Sequence, residues 1–256
     1  MVNVFLDESH NEHITINKIE KTITLLADMT FFPIKKQPIK LGLLKDCDIL
    51  IIGNPRGNGG RSAFAVSEVE DITRYVMEGG KVIIAIGSGV TRDGGFSKLL
   101  KNFGVIDYKG FLINEKLKIT WQSTHPLLRN VETLGASGGF SVEPDVEVIV
   151  NRVRKDTTKY RQNISKSVKL VKTYETISPV LICSKRGKGV FVGTGEINFT
   201  KPYLQFLKAL FNYLINFGKF QENEDKEYFF CPMCGIRLPD SARFCPQCGT
   251  DLEGIL

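Results

Sequence analysis

Residues 81–95 read KVIIAIGSGVTRDGG, in which a run of apolar, mostly β-branched residues ends abruptly at a glycine-rich turn. Residues 48–53 (DILIIG) have the same form, and residues 2–6 (VNVFL) form a shorter apolar run. None of the three runs alternates strictly between apolar and polar residues. Strands that are covered on both faces of a parallel sheet have this pattern. The three runs therefore predict neighbouring strands of a buried, mostly parallel sheet.

Helix-compatible segments separate these predicted strands. Apolar residues recur every three or four positions in residues 14–28, and the S-x-x-E spacing of residues 67–70 is that of a capping box at the start of a helix. A third, shorter segment covers residues 96–103. The alternation of strand and helix over residues 1–104 predicts a doubly wound α/β layer. A further helix, apolar on nearly all sides, is predicted over residues 202–217.

The middle of the chain is less regular. Residues 146–150, 179–184 and 189–193 have strand-like composition, whereas residues 151–172 carry eight basic residues against one acidic residue. This basic segment is predicted to be a loop or hairpin. Because it contains one aromatic residue, Tyr160, and nucleic-acid surfaces usually interleave more aromatics with the charges, a solvated or disordered loop is favoured. Contact with an acidic protein, an anionic surface or nucleic acid is the alternative.

The composition is that of an ordinary soluble globular protein. The 256 residues are 42% hydrophobic and 24% charged, with a formal net charge of +6. The longest apolar runs are far too short to span a bilayer, and residues 1–6 lack the form of a secretory signal. The sequence therefore predicts a cytoplasmic protein without membrane insertion, in which Cys47 and Cys183 are buried, reduced thiols.

Residues 231–249 read CPMCGIRLPDSARFCPQCG and carry the strongest chemical signal in the chain. Two C-P-x-C-G turns supply four thiolates, which complete a closed tetrahedral site with no position left for water. We expect one structural Zn²⁺, with iron in a rubredoxin-like site as the main competitor. The predicted ligands are Cys231, Cys234, Cys245 and Cys248. Residues 230–256 resemble the zinc ribbons appended to many prokaryotic, especially archaeal, proteins. In those proteins the ribbon contacts proteins or nucleic acids. Residues 218–229 are predicted to be a polar, acidic linker.

Several motifs of residues 1–217 together resemble a known family. They are VFLDESH at 4–10, DILIIGNPRGN at 48–58, the capped helix from Ser67, GGKVIIAIGSG at 79–89, FSKLLKNFGV at 96–105, THPLLRNV at 124–131 and GVFVGTGEINF at 189–199. Their order and spacing are similar to those of the GIFT domain. That domain is shared by an intraflagellar-transport B-complex subunit and by gliding-motility transporter-associated proteins. It belongs to the class I glutamine amidotransferase-like superfamily, so the resemblance implies a flavodoxin-like, mostly parallel sheet.

The resemblance also implies where catalytic groups would stand. Amidotransferases of this superfamily carry a cysteine nucleophile in a G-I-C-x-G-like turn, and this chain has Gly87 at the matching position. Their late histidine has no counterpart here, since residues 195–198 read GEIN and no histidine follows His125. Without thiolate and general base, we expect no amidotransferase activity. A divergent hydrolase using Ser88 or the Asp7/His10 edge is an alternative, because an activated serine needs a base and His10 lies just past the first predicted strand.

Polar residues near the carboxyl ends of the predicted strands form a candidate crevice. In open parallel sheets, ligands bind outside these strand ends. The candidates are Asp7, His10, Asn54, Arg56, Ser88, Arg92, Glu196 and Asn198. They predict either a vestigial pocket for a small polar ligand or peptide, or a solvated rim of helix-capping residues. The leading functional prediction is a non-catalytic scaffold or adaptor for protein partners in a trafficking or transport assembly. The alternatives are a divergent hydrolase or ligand-binding protein, and a nucleic-acid-binding protein.

Overall fold

The computed structural model of the chain consists of two compact units, Met1–Ile215 and Asn216–Leu256. It describes residues 1–10, 12, 14–26, 28–55, 64–87, 89–90, 94–118, 125–128, 130–160, 170–197, 199–218, 228–230 and 237–239. The first unit contains the strands β1 (Val2–Asp7), β2 (Met29–Ile34), β3 (Ile49–Gly53), β4 (Lys81–Ala85), β5 (Val105–Lys118), β6 (Thr133–Val142), β7 (Glu147–Tyr160), β8 (Leu170–Arg186) and β9 (Gly189–Thr194). Its helices are α1 (Ile16–Ile23), α2 (Val66–Met77), α3 (Gly94–Asn102) and α4 (Leu204–Ile215).

Seven strands form one mixed sheet in the order β2-β1-β3-β4-β9-β8-β7. The five strands from β2 to β9 run parallel to their neighbours, and β8 and β7 continue the sheet in antiparallel pairs. The strands β3 and β4 are almost wholly buried, as their unbroken apolar sequences require. The prediction of an α/β protein with a mostly parallel sheet is therefore confirmed.

The core lies on both sides of the central strands. Leu50, Ile52 and Ile84 pack in one cluster with apolar residues of α2 and α3. The intervening Ile51 and Ile83 are fully buried as well, and successive side chains of a strand point to opposite faces. Both faces of β3 and β4 are thus removed from water.

Two features of residues 1–104 differ from the sequence prediction. The strand β2 interrupts the predicted alternation, so the described residues of this range contain four strands and three α-helices. Its sequence, MTFFPI, contains Pro33 and is only partly buried because it lies at the edge of the sheet. The capping box is also displaced: α2 follows Ala65, whose backbone N–H donates to Glu68 Oε2 at 2.9 Å, so Ser67 lies inside the helix.

An antiparallel hairpin of β5 and β6 lies against the carboxyl ends of β4 and β9. The N–H of Ser137 donates to the carbonyl of Gly195 at 3.1 Å. A side chain at Gly138 would overlap the carbonyl oxygen of Ile86, which immediately follows β4. The glycine-rich sequence of β6 therefore permits close backbone contact at the edge where the crevice was predicted.

The basic segment lies largely on a second hairpin. Residues 151–160 continue β7, and residues 170–172 begin β8, to which β7 pairs as far as Tyr160 opposite Leu170. Of the two predicted forms, a loop or a hairpin, the structure contains the hairpin. A disordered loop is wrong for these residues. Residues 161–169 lie outside the described part of the chain.

The second unit contains the short antiparallel strands β10 (Tyr228–Phe230) and β11 (Arg237–Pro239). The four predicted metal ligands, Cys231, Cys234, Cys245 and Cys248, lie outside the described residues, as do residues 219–227 of the predicted linker. In the part of the chain that is described, none of the helices has the length and apolar character needed to cross a bilayer.

Candidate functional site

Four strand ends place polar groups at the carboxyl edge of the parallel sheet. Asp7 is the last residue of β1, and Asn54 directly follows β3. Gly87 lies two residues beyond β4, and Glu196 lies two residues beyond β9. Asp7 contacts His10, Asn54 accepts a hydrogen bond from Gly87, and Glu196 lies against the β5–β6 hairpin.

Asp7 and His10 are in direct contact in the interior. Asp7 is fully buried and His10 is 8% exposed, and His10 Nδ1 lies 2.7 Å from Asp7 Oδ2. The other oxygen of Asp7 accepts hydrogen bonds from the N–H and the hydroxyl of Ser9, at 3.0 and 2.6 Å. A solvated rim is therefore the wrong description of this end of the crevice.

Two further carboxyl groups complete the cluster, and neither was predicted as a site residue. Glu12 Oε2 accepts a hydrogen bond from the backbone N–H of His10 at 3.0 Å, and its Oε1 lies 3.6 Å from His10 Nδ1. Glu68 Oε1 lies 3.2 Å from His10 Nε2. Glu68 also accepts hydrogen bonds from the N–H groups of Ile39 and Ala65. The capping residue of α2 is thus also a partner of the buried histidine.

The cluster shifts the pKa of each member. Burial opposes a charge on His10, but hydrogen bonds with Asp7 and Glu68 outweigh it and raise the pKa of the imidazole to about 10. Burial also opposes ionisation of Asp7 and Glu68, yet hydrogen bonds with His10 hold the pKa of both carboxyls below their ordinary values. Burial, followed by the neighbouring Asp7, raises the pKa of Glu12 to about 9. At neutral pH, an imidazolium therefore lies between two carboxylates.

Aromatic rings hold the imidazole in place. The ring of Phe64 stacks on His10, with centroids 4.0 Å apart and planes inclined by 19°. Phe64 in turn stacks on Phe96, which is fully buried at the centre of the α2–α3 core. Contacts of this kind fix the orientation of His10 and exclude water from it.

Gly87, the residue for which the sequence resemblance predicted the place of a nucleophile, is held by its backbone. The N–H of Gly87 donates to Asn54 Oδ1 at 3.0 Å. A Cβ built on Gly87 would lie 2.7 Å from Ser137 Oγ and 3.3 Å from Asn54 Nδ2. Ser137 is itself anchored, since its hydroxyl donates to the carbonyl of Gly195 at 3.1 Å. The turn after β4 therefore has no room for a larger side chain at residue 87 unless its neighbours move.

Glu196 lies beneath the hairpin rather than in an open cleft. A Cβ at Gly135 of β6 would lie 2.6 Å from Glu196 Oε2. Burial, together with the neighbouring Glu196 carboxyl, raises the pKa of the Tyr203 hydroxyl. The carboxyl group thus lies against β6, near Tyr203.

Four of the predicted crevice residues, Arg56, Ser88, Arg92 and Asn198, lie outside the described residues. The hydrolase alternative, which depends on an imidazole close to Ser88, therefore stays a prediction. His125, the last histidine in the chain, lies apart from the strand ends. Its Nδ1 accepts a hydrogen bond from Leu127 N–H, and its Nε2 lies 3.4 Å from Glu147 Oε1.

Glu12 and Glu68, which the sequence analysis did not propose as site residues, differ in whether the sequence could have predicted them. Glu12 is part of the run D-E-S-H-N-E directly after a buried strand, so its proximity to Asp7 and His10 could be predicted from the sequence. Glu68 is 58 positions further along the chain than His10. Its S-x-x-E neighbourhood indicated only helix capping, and the contact depends on where the first turn of α2 lies relative to His10.

The fold and the sequence motifs define a mixed α/β domain with a carboxyl-terminal zinc ribbon. A family model described as a zinc-ribbon domain matches residues 230–252. The match supports zinc binding by the second unit. A search of curated proteins found no match to this sequence.

Solved structures with a similar fold cover most of the chain. The mmIFT52 N-terminal domain has a TM-score of 0.55 and 14% identity, covering 84% of this chain and 96% of that one. A ThuA-like protein from Bacteroides uniformis has a TM-score of 0.53 and 13% identity, with coverages of 84% and 91%. A cytoplasmic protein of Salmonella typhimurium, STM1381, has a TM-score of 0.50 and 12% identity, with coverages of 85% and 99%. At these identities, the similarity concerns the fold alone.

Proposed function

We propose that this chain is a non-catalytic, amidotransferase-like scaffold or adaptor of the GIFT type. It engages protein partners in a cytoplasmic assembly that serves trafficking or transport. The observation that carries the proposal is the occupied space at residue 87, where a glycine packs against Asn54 and Ser137. The fold similarity to the mmIFT52 N-terminal domain supports the same assignment.

The proposal includes a flavodoxin-like, doubly wound arrangement for the first unit. Supporting it, the parallel strands follow the order β2-β1-β3-β4-β9, which corresponds to the flavodoxin-like order 2-1-3-4-5. The burial of both faces of the central strands agrees with helices on each side of the sheet. In this arrangement, the topological switch point lies between β1 and β3, beside Asp7 and Asn54.

The zinc ribbon serves as an additional contact module in this proposal. Cys231, Cys234, Cys245 and Cys248 hold one structural Zn²⁺, which supplies the folding energy that so short a segment cannot obtain from its own core. The match of residues 230–252 to the zinc-ribbon model supports this assignment. Four thiolates leave no open coordination position, so the zinc itself takes no part in a reaction.

An activity assay tests the catalytic half of the proposal. The full chain is incubated with glutamine and, separately, with an activated ester, and released ammonia or alcohol is measured. We expect rates equal to those of buffer and of His10→Gln. Turnover by the wild-type chain that disappears in His10→Gln would refute a non-catalytic role and favour the hydrolase alternative.

Reciprocal affinity purification tests the adaptor half. The tagged full chain is crosslinked and purified from its own cells beside Cys234→Ser, in which the predicted ribbon is disrupted. We expect partner proteins to be recovered at a constant ratio to this chain. The same complex should be recovered when the partner carries the tag. The ribbon variant should lose only contacts made by residues 230–256. Recovery of the wild-type chain without a reciprocal partner would contradict the adaptor role.

Nucleic-acid binding is the second candidate, and the β7–β8 hairpin favours it. A two-stranded ribbon fits the major groove of DNA, and Arg152, Arg154, Lys155 and Lys159 lie along β7. Affinity for duplex DNA and for RNA is measured by fluorescence anisotropy over a series of salt concentrations. Binding that weakens steeply with salt, with a slope reduced by about 1 in Lys155→Gln, would support this candidate. The absence of binding at low salt would exclude it.

A further inference from the structure

Three potential metal-ligand atoms converge at the carboxyl end of β1. Asp7, His10 and Glu12 each offer one such atom, and all of these atoms lie within 4.8 Å of one another. The three residues are buried, with exposed fractions of 0, 8 and 6%. They span only six positions of the sequence, so a single turn after β1 supplies the whole set. Such a local set requires no long-range rearrangement to close around an ion.

Each of the three residues has its other polar atom fixed by a separate hydrogen bond. Asp7 Oδ1 accepts from Ser9, which leaves Oδ2 directed at His10. His10 Nε2 contacts Glu68 Oε1, which leaves Nδ1 facing the acidic residues, with Ser9 Oγ 3.1 Å away. Glu12 Oε2 accepts from the backbone N–H of His10, which leaves Oε1. The contact between His10 and Glu68 is the carboxylate–histidine arrangement that orients metal-bound imidazoles in proteins.

Glu12 supplies an independent indication of a missing ligand. Its side chain is completely buried, and Oε1 has no hydrogen-bond partner among the described residues. The oxygen lies 3.6 Å from His10 Nδ1. A buried carboxyl oxygen without a partner is costly. Without a metal, burial and the neighbouring Asp7 raise the pKa of Glu12 to about 9, and His10 is protonated as well. A bound divalent cation would replace these two protons, which would leave to solvent. We propose that Asp7, His10 and Glu12 bind a divalent first-row transition-metal ion, with Glu68 positioning the imidazole.

The chemistry of the ligands selects the class of ion. Imidazole nitrogen suits zinc, iron and nickel, whereas carboxylate oxygen suits manganese, magnesium and calcium, so a mixed set favours Mn²⁺, Fe²⁺ or Zn²⁺ over Mg²⁺ and Ca²⁺. In a tetrahedral site with bonds of about 2.1 Å, ligand atoms are about 3.4 Å apart. The 3.6 Å between Glu12 Oε1 and His10 Nδ1 already fits. The 2.7 Å between Asp7 Oδ2 and His10 Nδ1 must open slightly on binding.

Manganese loading of the full chain tests the proposal, because Mn²⁺ is distinguishable from the zinc expected in the ribbon. The protein is incubated with Mn²⁺, desalted, and analysed for both metals. We expect about one manganese per chain and a rise in the melting temperature. Electron spin echo measurements should show modulation from a directly bound imidazole nitrogen.

Two variants and two controls assign the site. Glu12→Gln retains an acceptor for the N–H of His10 but removes the anionic ligand, and His10→Gln removes the nitrogen ligand. Both should weaken Mn²⁺ binding by at least about 10-fold. Cys234→Ser should retain manganese while losing zinc, and Glu70→Gln, on the exposed side of α2, should behave as wild type.

Three results would overturn this site. The first is a folded wild-type chain that takes up no Mn²⁺ and shows no change in melting temperature. The second is binding that persists undiminished in Glu12→Gln and His10→Gln. The third is bound Mn²⁺ without nitrogen modulation, a result that needs only the wild-type chain and therefore decides the matter even where a variant fails to fold.

Discussion

Asn54 Oδ1 accepts a hydrogen bond from the backbone N–H of Gly87 at 3.0 Å, which ties the end of β3 to the turn that follows β4. The backbone of Asn54 is left-handed, with φ of 58°, a conformation that asparagine adopts more readily than most residues. This geometry turns the Asn54 amide toward the turn. The backbone of Gly87 is therefore held at the place where the amidotransferase resemblance puts a nucleophile.

Gly87→Cys should lower the free energy of unfolding by about 1–3 kcal/mol, because the added Cβ would lie 2.7 Å from Ser137 Oγ. Urea denaturation measures the change. Gly42→Cys is the matched control, since Gly42 has φ of −61° and no atom within 4 Å of a Cβ at that position. A Gly87→Cys chain as stable as wild type would mean that the turn is not closed.

Gly138→Ala should lower the free energy of unfolding by more than about 2 kcal/mol. The new methyl group would overlap the carbonyl oxygen of Ile86, and backbone cannot move aside as a flexible side chain can. Gly94→Ala, at an open position in α3, should have little effect or stabilise the protein slightly. Thermal denaturation of the two variants distinguishes them, and similar melting temperatures would contradict the contact between β6 and β4.

Glu68→Gln should destabilise the first unit by about 1–3 kcal/mol, because it leaves the buried His10 without one of its two charged partners. Glu70→Gln makes the same chemical change on the exposed side of α2 and should cost less than about 0.5 kcal/mol. Chemical denaturation of both variants gives the difference. Equal stabilities would show that the contact between Glu68 and His10 contributes nothing to folding.

Cys234→Ser should abolish tight zinc binding by residues 230–256, because three thiolates no longer complete the site. Elemental analysis of purified wild-type protein should give one zinc per chain, and the variant close to none. The folding of residues 1–217 should be unaffected, as judged by the main unfolding transition. Wild-type protein containing neither zinc nor iron would contradict the assignment.

The sequence was most informative for strands whose own composition indicates that they are buried. The unbroken apolar runs of β3 and β4 are buried because neighbours cover both faces, so composition alone identified them. The edge strand β2 escaped prediction because it is partly exposed and contains Pro33, both of which weaken the strand pattern. The hairpin of β5 and β6 was not predicted for a different reason. The glycines in β6 lower its strand propensity, but close contact with the Ile86 backbone requires glycine at position 138.

The candidate site likewise contains residues that the sequence predicted and contacts that it did not. Asp7 and His10 were predicted because they directly follow a strand, and the carboxyl ends of parallel strands share one edge. The contact of His10 with Glu68 depends on where α2 packs, and the sequence around either residue does not predict that position. The resemblance to amidotransferases identified the absent cysteine, but not that Ser137 fills the space beside it.

The packing of Ser137 against Gly87 also bears on how this sequence can evolve. A cysteine that arises at position 87 meets a neighbour already in place, whereas a change of Ser137 that comes first gives up its bond to Gly195. A cysteine at position 87 therefore fits this turn only together with a change of Ser137 that makes room for the thiol. The two positions are thus coupled: the side chain at one determines which side chains the other can accept.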